Sequence, residues 1–325
     1  MGVIKFGLIG LGHITKGFIK DLALVEGAEA VAVASRSLEK ARAFSAEHGV
    51  KKYYGSYAEI LEDPEVDIIY IGTPHDSHEE WSIAAMNAGK HVLCEKPMGV
   101  NCAQVERMVE AARKNRVFLM EALWARFNPT IKACLELVRS GVIGEVNYLN
   151  ADFAFLATKD TGHRLLKAEL AGGTILDIGI YPLFLAYSIF GKPKEIMASG
   201  LFHPQTGVDI QVSMILKYPS AMASLYCGFV SKSDMVARIC GTEGTIYIDG
   251  RWHESKGYTL ERGGEMEKVS LPTLGKGLTY EIRECIECIS QQKMQSELWS
   301  HQNSLDLAEM LDEVRSRVGV RYGFE

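Results

Sequence analysis

Residues 3–9, Val-Ile-Lys-Phe-Gly-Leu-Ile, are apolar at nearly every position, as a strand buried on both faces requires. Gly10-Leu11-Gly12-His13-Ile14-Thr15 comes next, and the pattern then becomes helical to about residue 24. The same alternation repeats. Strands are predicted at 29–34, 66–71, 91–94 and 117–120, with helices at 38–48, 77–88 and 101–115 between them. Strands that alternate with helices form βαβ units, so residues 1–121 predict a Rossmann-type, doubly wound parallel sheet. Beyond Glu121 the texture changes. One helix at 129–140 ends at Gly141, and strand patterns follow at 146–155, 195–199, 211–217, 223–228, 236–240 and 245–249. Strands in succession without helices between them predict a mostly antiparallel sheet, and two late helices are predicted at 278–292 and 304–318. The expected organisation is α/β throughout, with a nucleotide-binding domain at 1–121 and a substrate domain at 122–325.

Composition narrows the function classes. The chain has 325 residues, with 35 Lys and Arg against 41 Asp and Glu, a formal charge of −6. Nucleic acids and anionic membranes call for a basic surface, so neither is an expected partner. Seven scattered cysteines do not make a secreted disulfide scaffold, and Cys285-x-x-Cys288 falls inside a helical pattern. The first residues lack a signal-peptide pattern, and the apolar run 178–190 is too short to span a bilayer and contains Pro182. A cytoplasmic protein is expected.

The candidate chemistry lies at the carboxyl ends of the predicted strands, where parallel sheets bind ligands. Gly10 permits a tight turn. Gly12 lets the backbone approach a pyrophosphate, whose charge the amides of His13 and Ile14 at the helix start can meet. The third position of this fingerprint is Thr15 instead of Gly or Ala, which predicts looser packing of helix on strand. The second strand ends at Ser35-Arg36-Ser37, where an NAD site would place an acid for the ribose hydroxyls. Arg36 there favours a 2′-phosphate and hence NADP over NAD, with Ser35 beside it. The competing reading is an exposed Arg36 with Ser35 or Ser37 capping a helix. Thr73-Pro74-His75 and Glu95-Lys96-Pro97 share the rim with the glycine turn. His75 and His78 have the spacing of a ligand pair, but two ligands are too few, so no metal is expected and both are placed on the rim beside the cofactor. In the second half, a helix starting at Thr174 would put Asp177 and Tyr181 one turn apart on one face. That spacing suits a proton relay. It equally suits a capping Asp177 and a core Tyr181.

Gly7-Leu-Ile-Gly-Leu-Gly12, Glu95-Lys96-Pro97 and Asp177-x-Gly-x-Tyr181 together resemble the glucose-fructose oxidoreductase / inositol dehydrogenase (Gfo/Idh/MocA) family. The segments 92–101, 118–127, His163-Arg164-Leu165, 169–173 and 297–301 extend the likeness to its dimeric dihydrodiol dehydrogenase / NADP-dependent D-xylose dehydrogenase branch. The resemblance implies hydride transfer between NADP and the carbinol or carbonyl carbon of a sugar or vicinal diol. It places Lys96 near the nicotinamide and the reacting oxygen, makes Tyr181 the proton donor and acceptor where many relatives carry His, and has Asp177 orient the substrate or the relay. A free phenol is a poor base at neutral pH, and the Lys96 ammonium would favour its phenolate. Glu95, Trp124 and Arg126 join the cofactor contacts, and Trp124, Arg126, Phe153 and Phe155 are candidate pocket walls. The open face of the second sheet is implied as a homodimer surface. Two rivals follow: a dehydrogenase for another sugar, sugar acid or inositol, and a non-catalytic NADP-binding sensor.

Overall fold

Short strands rich in buried apolar side chains build the first sheet. They are β1 (Ile4–Ile9), β2 (Ala28–Ala34), β3 (Lys52–Tyr54), β4 (Ile68–Ile71), β5 (His91–Glu95) and β6 (Leu119–Ala122), all parallel in the order β3-β2-β1-β4-β5-β6. All four residues of β4 are fully buried, as a strand covered on both faces by crossover helices demands. The crossovers are α1 (His13–Leu22), α2 (Leu38–His48), α3 (Tyr57–Leu61), α4 (His78–Asn87) and α5 (Cys102–Asn115). Local chemistry sets several of their starts. Ser37, Ser56 and Asn101 each accept an amide one turn on, from Lys40, Glu59 and Gln104. The computed structural model describes residues 2–325.

The second sheet has eight strands in the order β14-β13-β12-β11-β7-β10-β9-β8. After α6 (Pro129–Ser140), β7 (Val146–Ala154) leads to α7 (Ile180–Phe190), and then come β8 (Glu195–Phe202), β9 (Asp209–Lys217), β10 (Met222–Gly228), β11 (Ala237–Gly241), β12 (Gly244–Ile248), β13 (Gly257–Arg262) and β14 (Glu265–Ser270). Every neighbouring pair is antiparallel except β7 with β10. Side chains alternate across it: Leu149, Ala151 and Phe153 of β7 are buried, whereas Tyr148 is exposed. The apolar helix α7 is buried against β7 and β10. Residues 168–190 are apolar and long enough to cross a membrane, yet they are mostly buried, as a core helix is.

The sequence pattern does not predict the β13–β14 hairpin. Its Gly263-Gly264 turn has φ of +60° and +83°, but β14 is largely exposed and therefore lacks an apolar signature. The division of the chain also differs from a single cut at residue 121. One unit contains the residues up to Trp124 together with Leu274–Leu305, and the other contains Ala125–Thr273 with Asp306–Glu325. The returning segment carries α8 (Thr279–Ser290) and the start of α9 (His301–Val318). It covers the outer edge of β6, where Leu119 donates its amide to the Met294 carbonyl at 3.0 Å and the His301 ring meets the Leu119 carbonyl at 3.0 Å. Helical periodicity shows that 278–292 has an apolar face, but not which sheet that face will meet.

Candidate active site

In the first unit the turn after β1 is closed by backbone. Gly10 has φ of +75°, and a Cβ there would collide with the backbone of Gly72 and Thr73 at the end of β4. Gly12 precedes α1 and supplies no side chain to bond its first amides, and Gly12, His13 and Ile14 are exposed. A Cβ on Gly12 would find only the Gly10 carbonyl within 4 Å. Thr15 corrects one expectation. It is fully buried and its hydroxyl donates to the Gly10 carbonyl at 2.7 Å, so it tightens the turn. The room comes from Gly72, where a Cβ would lie 2.5 Å from the Thr15 hydroxyl.

At the end of β2, Ser35 is buried and Arg36 is exposed. Ser37 caps α2, so the capping role and an exposed Arg36 coexist. The Arg36 guanidinium acts electrostatically on the Tyr57 phenol and the Asp76 carboxyl, holding each back from a rise that burial drives. Asp76 is raised above the usual carboxylate range mainly by that burial.

The ends of β4 and β5 make the rest of the rim. Thr73 is buried and its hydroxyl has no hydrogen-bond partner among the described residues. Pro74 starts a single 3-10 turn containing the buried His75, whose ring lies edge-on to His78 at 5.7 Å. His78 departs from its expected place beside the cofactor. Its side chain is fully buried, with Nδ1 2.8 Å from the Pro97 carbonyl and Nε2 3.0 Å from the Thr73 carbonyl. It ties the two rim segments together from behind. Glu95 is buried and accepts the Tyr70 hydroxyl at 2.6 Å, Lys96 is half-buried, and the Lys96–Pro97 peptide is cis.

Two carboxylates behind this rim carry no local sequence signal. Glu121 accepts the Met98 amide at 2.9 Å, the Trp299 indole at 3.1 Å and the Ser304 hydroxyl at 2.7 Å. It fixes the loop after Pro97. Burial raises its pKa, while those donors and the Lys96 charge oppose the rise. Glu281 of α8 is fully buried, and neither carboxylate oxygen has a hydrogen-bond partner among the described residues. Burial first, then the charges of Glu95 and Asp21, push its pKa well above the usual carboxylate range. Trp124 is buried in the same unit, its ring near Gly277, where a Cβ would lie 3.5 Å from it.

In the second unit Tyr181 opens α7 among aromatic rings. Its centroid is 5.4 Å from Phe153 and 5.2 Å from His253, and Phe153 stacks on His253 at 4.2 Å. Phe155, 6.3 Å from Phe153, leans on Phe229, and Arg126 is buried in the 3-10 turn before α6. Asp177 neither caps a helix nor stands alone: Arg164 donates to its Oδ1 at 3.0 Å. It lies in a π-helical turn, Ile175–Gly179, that runs directly into α7. Asp209, buried on β9, holds the start of that turn by accepting the Thr174 hydroxyl and the Ile175 amide, both at 2.7 Å. The glycines here serve packing. Gly173 has φ of +122° and leaves no room for a Cβ beside Asp209, and Gly179 lies against Cys227 of β10. The contacts of His253, Arg164 and Asp209 carry no sequence signal, because their partners lie 13 to 72 residues away and share no periodicity with them.

The rim fits a dinucleotide. It has a glycine cradle that side chains would fill, exposed residues at an uncapped helix start, a cation where a phosphate would need one and an orphaned threonine hydroxyl beside the turn. With strand order 3-2-1-4-5-6 these features define a dinucleotide-binding protein. Among the described residues no group of three or more His, Cys, Asp or Glu is placed to hold a metal ion.

Comparison with known proteins takes this further. Residues 4–123 match the oxidoreductase family with NAD-binding Rossmann fold, and residues 131–247 match the GFO/IDH/MocA C-terminal domain. The chain belongs to the Gfo/Idh/MocA family of oxidoreductases. Trans-1,2-dihydrobenzene-1,2-diol dehydrogenase from Mus musculus is 37% identical over 334 residues, covering 98% of each chain. The Homo sapiens protein of that name is 35% identical over 335 residues, again with 98% of each covered. Among solved structures, KijD10, a 3-ketoreductase from Actinomadura kijaniata in complex with NADP and TDP-benzene, is similar with a TM-score of 0.88 and 26% identity, covering 97% of this chain and 98% of that one. The aldose-aldose oxidoreductase from Caulobacter crescentus, complexed with glycerol, has a TM-score of 0.88 and 25% identity over 97% of each chain.

Proposed function

We propose that this protein is an NADP-dependent dehydrogenase that acts on the CH–OH carbon of a vicinal diol or a sugar, or on the carbonyl in the reverse direction. The observation that carries the reading is the presence, in one chain of this family, of Lys96 at the end of β5 and Tyr181 at the start of α7. The similar 3-ketoreductase has also been crystallised with a lysine replaced and with a tyrosine replaced. Its complexes contain NADP, and the curated relatives are diol dehydrogenases.

Each residue has a task in this reading. The amides of His13 and Ile14, with the Gly10 and Gly12 backbone, receive the pyrophosphate, while Arg36 and Ser35 receive the 2′-phosphate. Thr73, Pro74, His75, Glu95, Trp124 and Arg126 line the cofactor, and His78 holds that lining in place. When bound, the nicotinamide supplies a hydride acceptor or donor. The chain supplies the proton chemistry. Tyr181 Oη takes the substrate hydroxyl proton on oxidation and returns it to the carbonyl oxygen on reduction, and the Lys96 ammonium stabilises the charge on that oxygen. Asp177, fixed by Arg164, orients the substrate hydroxyls, and Phe153, Phe155 and Trp124 wall its apolar face.

The test is a substrate screen that follows NADPH absorbance at alkaline pH, with vicinal diols, aldoses, sugar acids and inositol side by side. Turnover of a diol or aldose is expected. Cofactor binding without turnover across the panel would overturn the dehydrogenase reading in favour of a sensor.

We also infer that the outer face of the second sheet joins a second copy. Met197, Leu201, Ile215, Met222 and Tyr148 lie exposed on it, an apolar surface of the kind that marks an interface. Sedimentation equilibrium should give twice the chain mass, and a monomer at micromolar concentration would remove the idea. A cytoplasmic location is our reading for cysteines of which none is in a disulfide.

A further inference from the structure

Lys276 lies in the turn that leads into α8, and its backbone is pinned to α1. Both carboxylate oxygens of Asp21 accept its amide at 3.0 Å, and Oδ2 also accepts the Leu278 amide at 2.9 Å. Gly275 and Gly277 flank it with φ of +61° and +101°, and a Cβ on Gly275 would collide with the Asp21 carboxylate. Only glycine lets the turn close there.

From this anchor the side chain runs along α1. A Cβ built on Gly17 would meet Lys276 Cδ at 3.4 Å and Nζ at 3.6 Å, so any side chain longer than alanine at 17 would block its course. Asp21, Gly17 and His13 are spaced by four and share one face of the helix. The path from Asp21 to Gly17 therefore points at His13, the first helical residue, about 6 Å further along the axis.

That course is unfavourable for an isolated helix, because a helix start carries partial positive charge and repels a cation beside it. The ammonium forms no ion pair among the described residues. An anion seated on the α1 amides would turn the repulsion into attraction. A second, independent group lies beside the same turn: the buried Thr73 hydroxyl has no hydrogen-bond partner among the described residues, and the Thr73 backbone abuts Gly10.

We propose that Lys276 is a cofactor-binding residue whose ammonium clamps the dinucleotide pyrophosphate against the start of α1. This rests on the dinucleotide reading of the rim and divides recognition in two. Lys276 holds the phosphates that NAD and NADP share, and Arg36 reads the phosphate that distinguishes them.

The test is calorimetric binding to the full-length protein, which needs no turnover. Lys276 is exposed, so its substitution leaves no cavity. Lys276→Ala should weaken NADP, NAD and ADP about tenfold, the scale of one charge-assisted contact. Adenosine 2′-monophosphate, which has no pyrophosphate, should bind as before, and Lys276→Arg should recover most of the loss. Arg36→Ala should show the opposite pattern, weakening NADP and adenosine 2′-monophosphate while sparing NAD and ADP. Unchanged ADP and NAD affinity in Lys276→Ala, or an equal loss for adenosine 2′-monophosphate, would overturn the assignment. A wild-type protein that binds neither dinucleotide would overturn the reading of the rim itself, and the Lys276 assignment with it.

Discussion

Around Gly10 the first unit offers a ligand mainly backbone: a left-handed glycine, an uncapped helix start and two strand ends in contact. Around Tyr181 the second unit offers side chains, a phenol among aromatic rings and a carboxylate held by an arginine. The difference shows where each region is vulnerable. A backbone cradle depends first on a few glycines whose places no other residue can take. A side-chain face depends on individual functional atoms. Loss of the Tyr181 hydroxyl there is expected to remove the chemistry proposed for it while sparing the fold.

The sharpest way to break this contrast is Tyr181→Phe. It should lower turnover at least about 100-fold, the scale of a lost general acid or base, while NADP affinity measured by calorimetry stays as it was. Turnover near the wild-type level would return Tyr181 to the aromatic core and leave the proton without a carrier.

A smaller effect sharpens a second contrast, between two buried acids. Asp209 in the second unit is answered by a hydroxyl and an amide, but Glu281 in the first has no such partner among the described residues. Because burial raises the Glu281 pKa in the folded protein, the folded state binds a proton that the unfolded state releases. The stability linked to that proton is complete below the unfolded value, about 4.3, and is lost as pH rises from there through the folded pKa. Glu281→Gln, which keeps the shape without the charge, should therefore stabilise the protein increasingly above pH 4.3, by about 1–3 kcal/mol at pH 8. Thermal melts across pH check this, and a difference that does not grow with pH would mean Glu281 is not the group that titrates.

The same division explains how much could be read from the sequence. The glycine turn, the Ser37 cap, the end of α6 at Gly141 and the alternation of strand and helix are local, set by residues within a few positions of one another. They were legible for that reason. At the candidate site the Lys96 and Tyr181 motifs were visible, but their supports were not. Glu121 meets Trp299 and Ser304, Asp177 meets Arg164, and Tyr181 meets His253, through contacts that only the finished fold creates. His78 had the spacing of a ligand, but its two ring nitrogens are occupied by carbonyls from separate loops. Thr15 read as a defect in the fingerprint because its compensation, Gly72, comes at the end of another strand.

The outer edge of β6 has a consequence for biosynthesis. Leu119 receives its partners from Met294 and His301, and the turn at Lys276 closes on Asp21. A ribosome moving from the N-terminus has therefore made most of the chain before the first unit can close. Until then the nascent Rossmann sheet exposes an open edge, a stage at which a chaperone or a mispaired strand could bind it. A fragment ending at residue 124 would keep that edge exposed, because the residues that cover it lie in 274–305.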